Sequence, residues 1–142
     1  MTDLLQTDNR DGVLVVTFNR PGKKNAINTE MWAGLRDTFR AAAADDDVVC
    51  ALLCGAGENF CSGVDLASFG DAREGEEHPF EAAARAVVEF DKPLVAAAQG
   101  VAIGGGATVL FHADIVYVGQ SLRMRLPFAS LGVVPEWGSS YM

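Results

Sequence analysis

Short apolar runs along the chain predict strands, and the stretches between them, in which apolar residues recur with helical spacing, predict helices that alternate with those strands. Residues 13–19 are apolar and β-branched, and two further short apolar runs at 48–55 and 92–100 each predict a strand. The run at 48–55 is continuously apolar, which is typical of a strand buried on both faces. Residues 114–119 predict another strand, and the alternating residues 122–126 predict one that is half-exposed.

Helical periodicity lies between these strands. From residue 27 to residue 47, apolar residues recur at every fourth position and charged residues take the opposite face, which predicts an amphipathic helix. Asn28 or Thr29 is the expected N-cap, because both side chains can accept a hydrogen bond from the first helical turn. The stretch that starts at Arg73 is charged and is expected to be mobile, with a helix from about Phe80.

A third helix is predicted to begin near Gly105, after a tight glycine turn, and residues 127–142 are predicted to be mostly loop. The resulting order of strand, helix, strand, helix, strand, helix, strand indicates an α/β layered domain with a largely parallel sheet. An open sheet and a coiled stack of short turns both fit this pattern. The length of 142 residues corresponds to one domain.

Composition and charge narrow the range of functions to be considered. The net charge of −8 leaves no basic face for nucleic acid, so a nucleic-acid partner is not expected. No apolar stretch reaches the length of a membrane span, and the start of the chain lacks the basic and apolar regions of a signal peptide. Three cysteines, with neither histidine near them in sequence, indicate reduced thiols in a cytoplasmic protein and no metal site.

Two glycine-rich turns, at 55–63 and 100–106, follow predicted buried strands and are candidates for ligand binding. Phe60 replaces the third glycine of a dinucleotide motif and no lysine follows the second turn, so neither turn fits a nucleotide site. Backbone amides that have no hydrogen-bond partner in the protein can instead stabilise an oxyanion. Glu136 lies among apolar residues, so desolvation is expected to raise its pKa toward a value useful for proton transfer. Proton abstraction beside a carbonyl is one interpretation; structural glycines and an acid at a helix start are the other.

Four segments in one order resemble the crotonase (enoyl-CoA hydratase/isomerase) superfamily. They are NRPGKKNAIN (19–28), GAGENFCSGVDL (55–66), KPLVAAAQGVAIGGGATVLFHADIVYV (92–118) and LPFASLGVVPEWGSS (126–140). The resemblance implies an α/β crotonase-type spiral of ββα turns and an acyl-CoA thioester substrate. It also implies that the amides of Val64 and Gly105 hold the thioester oxygen.

The resemblance assigns further binding residues. The segment of Ser62, Gly63, Val64, Asp65 and Leu66 is expected to pack along the pantetheine and adenine end of coenzyme A, with Asp65 also capping the following turn. Arg20, Lys23 and Lys24 either meet the phosphates or form an ordinary solvated loop. No separate cofactor is expected, because coenzyme A is part of the substrate.

Departures from the family pattern indicate the activity. The two glutamates of the hydratases correspond to Thr108 and Phe128 here, so water addition is not expected. Glu136 in PEWGSS matches the single catalytic glutamate of the Δ3,Δ2-enoyl-CoA isomerase branch. We therefore expect conversion of 3-enoyl-CoA to 2-enoyl-CoA with Glu136 as base. Another activity of the family, with a residue beyond Met142, and a non-catalytic acyl-CoA-binding or assembly remnant are the alternatives.

The resemblance also implies that residues 1–142 form the N-terminal crotonase core domain and stop before the family's C-terminal helices. In the family those helices cover the acyl pocket and support trimers or hexamers, so a homo-oligomer is expected.

Overall fold

The structure is a computed structural model that describes residues 3–68 and 77–142. The first part of the charged stretch predicted from Arg73 lies outside these ranges. Its second part begins a helix close to the predicted position, with His78 as the N-cap.

A five-stranded sheet and a separate strand pair organise the fold. The strands are β1 (Leu5–Arg10), β2 (Val13–Phe18), β3 (Cys50–Gly55), β4 (Leu94–Ala98), β5 (Val101–Ile103), β6 (Ile115–Val118) and β7 (Arg123–Arg125). The large sheet has the order β1-β2-β3-β4-β6, antiparallel between β1 and β2 and parallel elsewhere. β5 and β7 form the parallel pair. The predicted largely parallel sheet is therefore confirmed.

Three helices lie between strands and a fourth follows the last strand. They are α1 (Thr29–Ala43), α2 (Pro79–Val88), α3 (Gly105–Thr108) and α4 (Phe128–Leu131), with single 3-10 turns at Pro21–Lys23, Leu66–Ser68 and Val109–His112. Asn28 is the N-cap of α1, and its side chain accepts a hydrogen bond from the amide of Met31 at 3.0 Å. This contact satisfies one of the free amides of the first turn, and it confirms the first of the two predicted caps.

The core lies between the sheet and α1 and α2. The predicted apolar face of α1 is fully buried, since Met31, Leu35 and Phe39 expose no surface. Phe18 of β2 packs edge-to-face on Phe60, with ring centroids 5.7 Å apart. This packing ties the first glycine-rich turn, residues 55–63, to the sheet.

Some predictions about the strands are wrong. β3 is buried on one face only, because Ala51 and Leu53 join the core whereas Leu52 remains half-buried. All three residues of β7 are exposed, so it is not the half-exposed strand predicted. β1, β5 and α4 were not predicted at all: β1 is largely polar and exposed, and the other two have only three and four residues.

Candidate active site

Two backbone turns meet at the start of α3. Cys61 pairs with β5 through its amide to the Val101 carbonyl and through its carbonyl to the Ile103 amide, both at 3.0 Å. The chain then passes Gly63, whose φ of 87° lies in the left-handed region. A Cβ at Gly63 would lie 2.4 Å from the Ile103 carbonyl oxygen, so only glycine lets the two backbones approach this closely.

The amide of Val64 points away from the neighbouring chain segment. Ile27 donates to the Gly63 carbonyl at 2.8 Å and accepts from the Asp65 amide at 2.9 Å. In a parallel bridge these two bonds flank the residue between them, whose own amide then faces the other side. Val64 donates no backbone hydrogen bond to any residue of the described ranges.

The amide of Gly105 is free for a different reason. Gly105 is the first residue of α3, so its amide has no carbonyl one helical turn before it. Within the described parts of the chain it donates to no other group. The Gly105 nitrogen would lie 3.3 Å from a Cβ placed on Gly63, which brings the two turns into contact. Two unpaired amides therefore lie on adjoining turns, an arrangement that suits an anionic oxygen.

Glu136 lies beside Gly105. A Cβ at Gly105 would be 3.5 Å from Glu136 Oε1, 3.5 Å from the ring of Trp32 and 3.6 Å from the ring of Phe80. Burial raises the pKa of Glu136, and a hydrogen bond with the Thr108 side chain partly offsets the rise. The carboxylate, the free amide and two aromatic rings thus share one small volume.

The predicted rise in the pKa of Glu136 is confirmed in direction, but its predicted cause is wrong in part. Val134 is 80% exposed and Pro135 is exposed, so these sequence neighbours do not desolvate the carboxylate. Trp32 of α1 and Phe80 of α2 supply apolar surface there instead. These rings pack edge-to-face with centroids 5.0 Å apart, and Trp137 adjoins both.

A cavity of about 470 Å³ opens beside these groups. Its lining comes from both glycine turns, from β7 and from the segment that includes α4. The lining residues are Ser62, Gly63, Val64, Leu66, Ile103, Gly104, Gly105, Arg125, Pro127, Phe128, Ser130, Leu131, Val133, Val134 and Glu136. Its size and largely apolar wall with few polar groups are typical of a small-molecule site.

Six of the predicted site residues meet in this cavity: Ser62, Gly63, Val64, Leu66, Gly105 and Glu136. Arg20, Lys24 and Asp65, by contrast, are not among the described residues that line it.

Arg20 donates to Asp65 at 2.6 Å and to the Ala26 carbonyl at 3.0 Å, so its guanidinium already has protein partners. Asp65 also accepts from the Ala67 amide at 3.1 Å, which confirms the predicted cap of the turn that follows. Lys24 is exposed, and its carbonyl accepts from the Ser62 amide at 2.9 Å. The loop that contains Arg20 and Lys24 is therefore hydrogen-bonded to Ser62 in the first glycine turn and to Asp65 just after it.

Other residues of the site were not predicted. Arg125 lines the cavity, and the alternation of residues 122–126 is the one signal that could have indicated it. Trp32 and Phe80 reach Gly105 from helices far away in sequence, so no local pattern points to them. Thr108 was placed by the family resemblance at the position of a hydratase glutamate; that it is fully buried and lowers the pKa of Glu136 through its side chain was not predicted.

Two negative findings apply to residues 3–68 and 77–142. No group of three or more His, Cys, Asp or Glu side chains there could hold a metal ion. No helix in these ranges has the length and apolar character needed to cross a membrane.

Comparisons with known proteins identify the family of this chain. The family model described as enoyl-CoA hydratase/isomerase matches residues 8–142. Human enoyl-CoA delta isomerase 2 is 37% identical over 147 residues, which cover 98% of this chain and 37% of that protein. The 1,2-epoxyphenylacetyl-CoA isomerase of Escherichia coli K12 is 32% identical over 150 residues, covering 100% of this chain and 57% of that one.

The fold is similar to solved structures as well. An enoyl-CoA hydratase/isomerase from Pseudoalteromonas atlantica T6c superposes with a TM-score of 0.92 at 38% identity, covering 97% of this chain and 55% of that one. This likeness identifies the mixed α/β fold as the crotonase type. The chain spans between about a third and somewhat more than half of the length of these curated relatives.

Proposed function

The chain belongs to the enoyl-CoA hydratase/isomerase family, and on that premise we propose that it converts 3-enoyl-CoA to 2-enoyl-CoA with Glu136 as its base. The observation that carries the proposal is the position of the Glu136 carboxylate. Its Oε1 lies 3.5 Å from where a Cβ on Gly105 would be, beside a free backbone amide. The thioester oxygen is proposed to accept from the amides of Val64 and Gly105.

The proposed reaction needs only one carboxylate. Glu136 removes a proton from C2 of the substrate; the electrons of the broken C2–H bond form a C1=C2 double bond and those of the carbonyl π bond move to the thioester oxygen, which gives a dienolate that keeps the C3=C4 double bond. The negative charge lies on the thioester oxygen, where two fixed amide donors stabilise it. Glu136, now protonated, gives its proton to C4: the C3=C4 electrons form the new C4–H bond, the C1=C2 electrons become the C2=C3 double bond, and the oxygen electrons restore the thioester carbonyl. Atoms and charge balance without a cofactor.

The environment of Glu136 supports this role. A raised pKa makes the carboxylate a better proton acceptor, and the neighbouring Trp32 and Phe80 rings reduce access of water. Thr108 and Phe128 occupy the two positions at which the hydratases carry their glutamates. Thr108 is fully buried and has a hydroxyl instead of a carboxylate, so no second acid is available there to activate water.

The names of two relatives also favour an isomerisation. The human and Escherichia coli proteins described above are both named isomerases that act on coenzyme A esters. Hydratases are also present among the relatives, for example EchA19 of Mycobacterium tuberculosis at 34% identity. The choice between the two activities therefore depends on the acids of this chain.

The test compares the parent protein with Glu136→Gln on a 3-enoyl-CoA substrate. Formation of 2-enoyl-CoA is followed by chromatography, and 3-hydroxyacyl-CoA is measured in parallel to detect water addition. Loss of the base is expected to lower kcat at least about 100-fold. Glu89→Gln is the matched control, because Glu89 is exposed at the C-terminal end of α2, and it is expected to keep the parent rate.

Two results would contradict the proposal. Unchanged turnover in Glu136→Gln would show that Glu136 is not the base. A parent protein that binds the coenzyme A ester without converting it would favour an acyl-CoA-binding role instead.

A further inference from the structure

His112 forms a contact with the segment that carries the candidate base. It ends the 3-10 turn Val109–His112, which continues α3 directly. Its Nε2 lies 2.7 Å from the backbone carbonyl oxygen of Trp137, the residue after Glu136. A carbonyl oxygen can only accept, so Nε2 carries the hydrogen and donates it.

Trp137 has a backbone conformation that needs support. Its φ of 51° lies in the left-handed region, which bulky side chains rarely adopt. Such residues persist where the surroundings hold them, and they concentrate at functional sites. Trp137 is 7% exposed, its indole packs on Trp32, and the centroid of the His112 ring lies 5.6 Å from that of the indole. His112 therefore contacts both the carbonyl and the ring of this strained residue.

We propose that His112 is a positioning residue that holds Glu136 beside Gly105 through its hydrogen bond to Trp137. This inference rests on the proposed function of Glu136. The segment 105–112 carries Gly105, Thr108 and His112, so the free amide, the side chain that interacts with Glu136 and the donor to Trp137 belong to one short element. The oxyanion donor and the donor that anchors the segment of the base therefore lie within eight residues of each other on the same element.

Two variants of His112 test the proposal. His112→Phe keeps a ring of similar size and removes the donor, whereas His112→Gln places an amide donor close to the position of Nε2. In the 3-enoyl-CoA assay, His112→Phe is expected to lower kcat about 10- to 100-fold, because a small misplacement of a base costs that much. KM is expected to stay within about twofold, and His112→Gln is expected to recover most of kcat.

Hydrogen exchange gives a readout that does not depend on activity. The amide of Ser139 donates to the Glu136 carbonyl at 2.9 Å and reports on the order of this turn. Exchange in the peptide that spans 136–142 is expected to rise in His112→Phe and to stay at the parent level in His112→Gln. Hydrogen exchange remains informative if His112→Phe is too unstable for assay, because the parent can then be compared with His112→Asn. The asparagine side chain is too short for its amide donor to reach the Trp137 carbonyl.

The outcomes separate the two proposals. An active parent whose His112→Phe variant keeps kcat overturns the role of His112 alone. Equal impairment of His112→Phe and His112→Gln overturns it as well, since restoring the hydrogen-bond donor would then not restore activity. A parent with no isomerase activity overturns the proposed function, and unchanged hydrogen exchange in the variant that lacks the donor overturns the contact to Trp137 whatever the activity.

Discussion

Gly106→Ala tests the close contact between the two glycine turns. A Cβ at this position would lie 2.4 Å from the carbonyl oxygen of Cys61 and 2.8 Å from both its Cβ and its Sγ. The carbonyl cannot move aside easily, because it accepts from the Ile103 amide at 3.0 Å. Neighbouring Gly105 offers the matched control, since a Cβ there has its nearest contacts at 3.5 Å or more.

The expected magnitude follows from these distances. Overpacking of a close contact costs about 1–3 kcal/mol, and the better helix propensity of alanine offsets up to about 1 kcal/mol of it. We expect Gly106→Ala to lose about 2 kcal/mol of unfolding free energy. For 142 residues the entropy of unfolding is about 0.3 kcal/mol per kelvin, so this loss lowers Tm by about 7 °C.

Thermal unfolding followed by circular dichroism measures the difference. Gly105→Ala is expected to melt within about 3 °C of the parent, because its contacts are ordinary and alanine favours a helix. It is nevertheless expected to lose activity, since the methyl group would occupy the space beside Glu136 Oε1. Equal Tm values for Gly106→Ala and the parent, or an equal loss in both variants, would refute the reasoning.

Three further predictions concern the surrounding residues. Thr108→Val removes the hydrogen bond that lowers the pKa of Glu136, so the acidic limb of the kcat–pH profile is expected to move to higher pH; an unmoved limb would contradict the contact. Arg20 holds the pKa of Asp65 below 3.8, so the pair stabilises the fold at neutral pH and loses this effect as pH falls through the lowered value. Arg20→Met is therefore expected to lose about 1 kcal/mol in urea unfolding at pH 7 and to approach the parent in acid, whereas a constant difference would contradict the pair. Burial raises the pKa of Cys61 to about 12, so iodoacetamide at pH 8 is expected to modify the two half-buried cysteines first, and early labelling of Cys61 would show that the core is open.

Local pattern predicted the elements whose signal lies within a short window. The four-residue period of α1 and the side chain of Asn28 determine that helix and its start without help from the rest of the chain. β1 gives no such signal, because its residues LQTDNR are mostly exposed and form a strand only through pairing with β2. β5 has three residues and depends on β7 and Cys61 for its partners.

The candidate site likewise has one part that the sequence predicts and one part that depends on residues distant in sequence. The turns of Val64 and Gly105 could be identified from their glycines and the family resemblance, and the structure brings them into contact. The surroundings of Glu136 could not be predicted, because Trp32 and Phe80 approach it from α1 and α2. Sequence neighbours of the carboxylate were a poor guide to its solvation, since a residue two positions away can point into solvent.

The central claim is that Glu136 itself carries the proton from C2 to C4. The most direct measurement uses 3-enoyl-CoA deuterated at C2 in ordinary water, with early product analysed by mass spectrometry and NMR in the parent and in Glu136→Gln. A single carboxylate that serves both carbons is expected to leave part of the deuterium at C4 of the 2-enoyl-CoA, and Glu136→Gln is expected to form almost no product. Product whose C4 hydrogen comes entirely from water, formed by Glu136→Gln at the parent rate, would contradict the account.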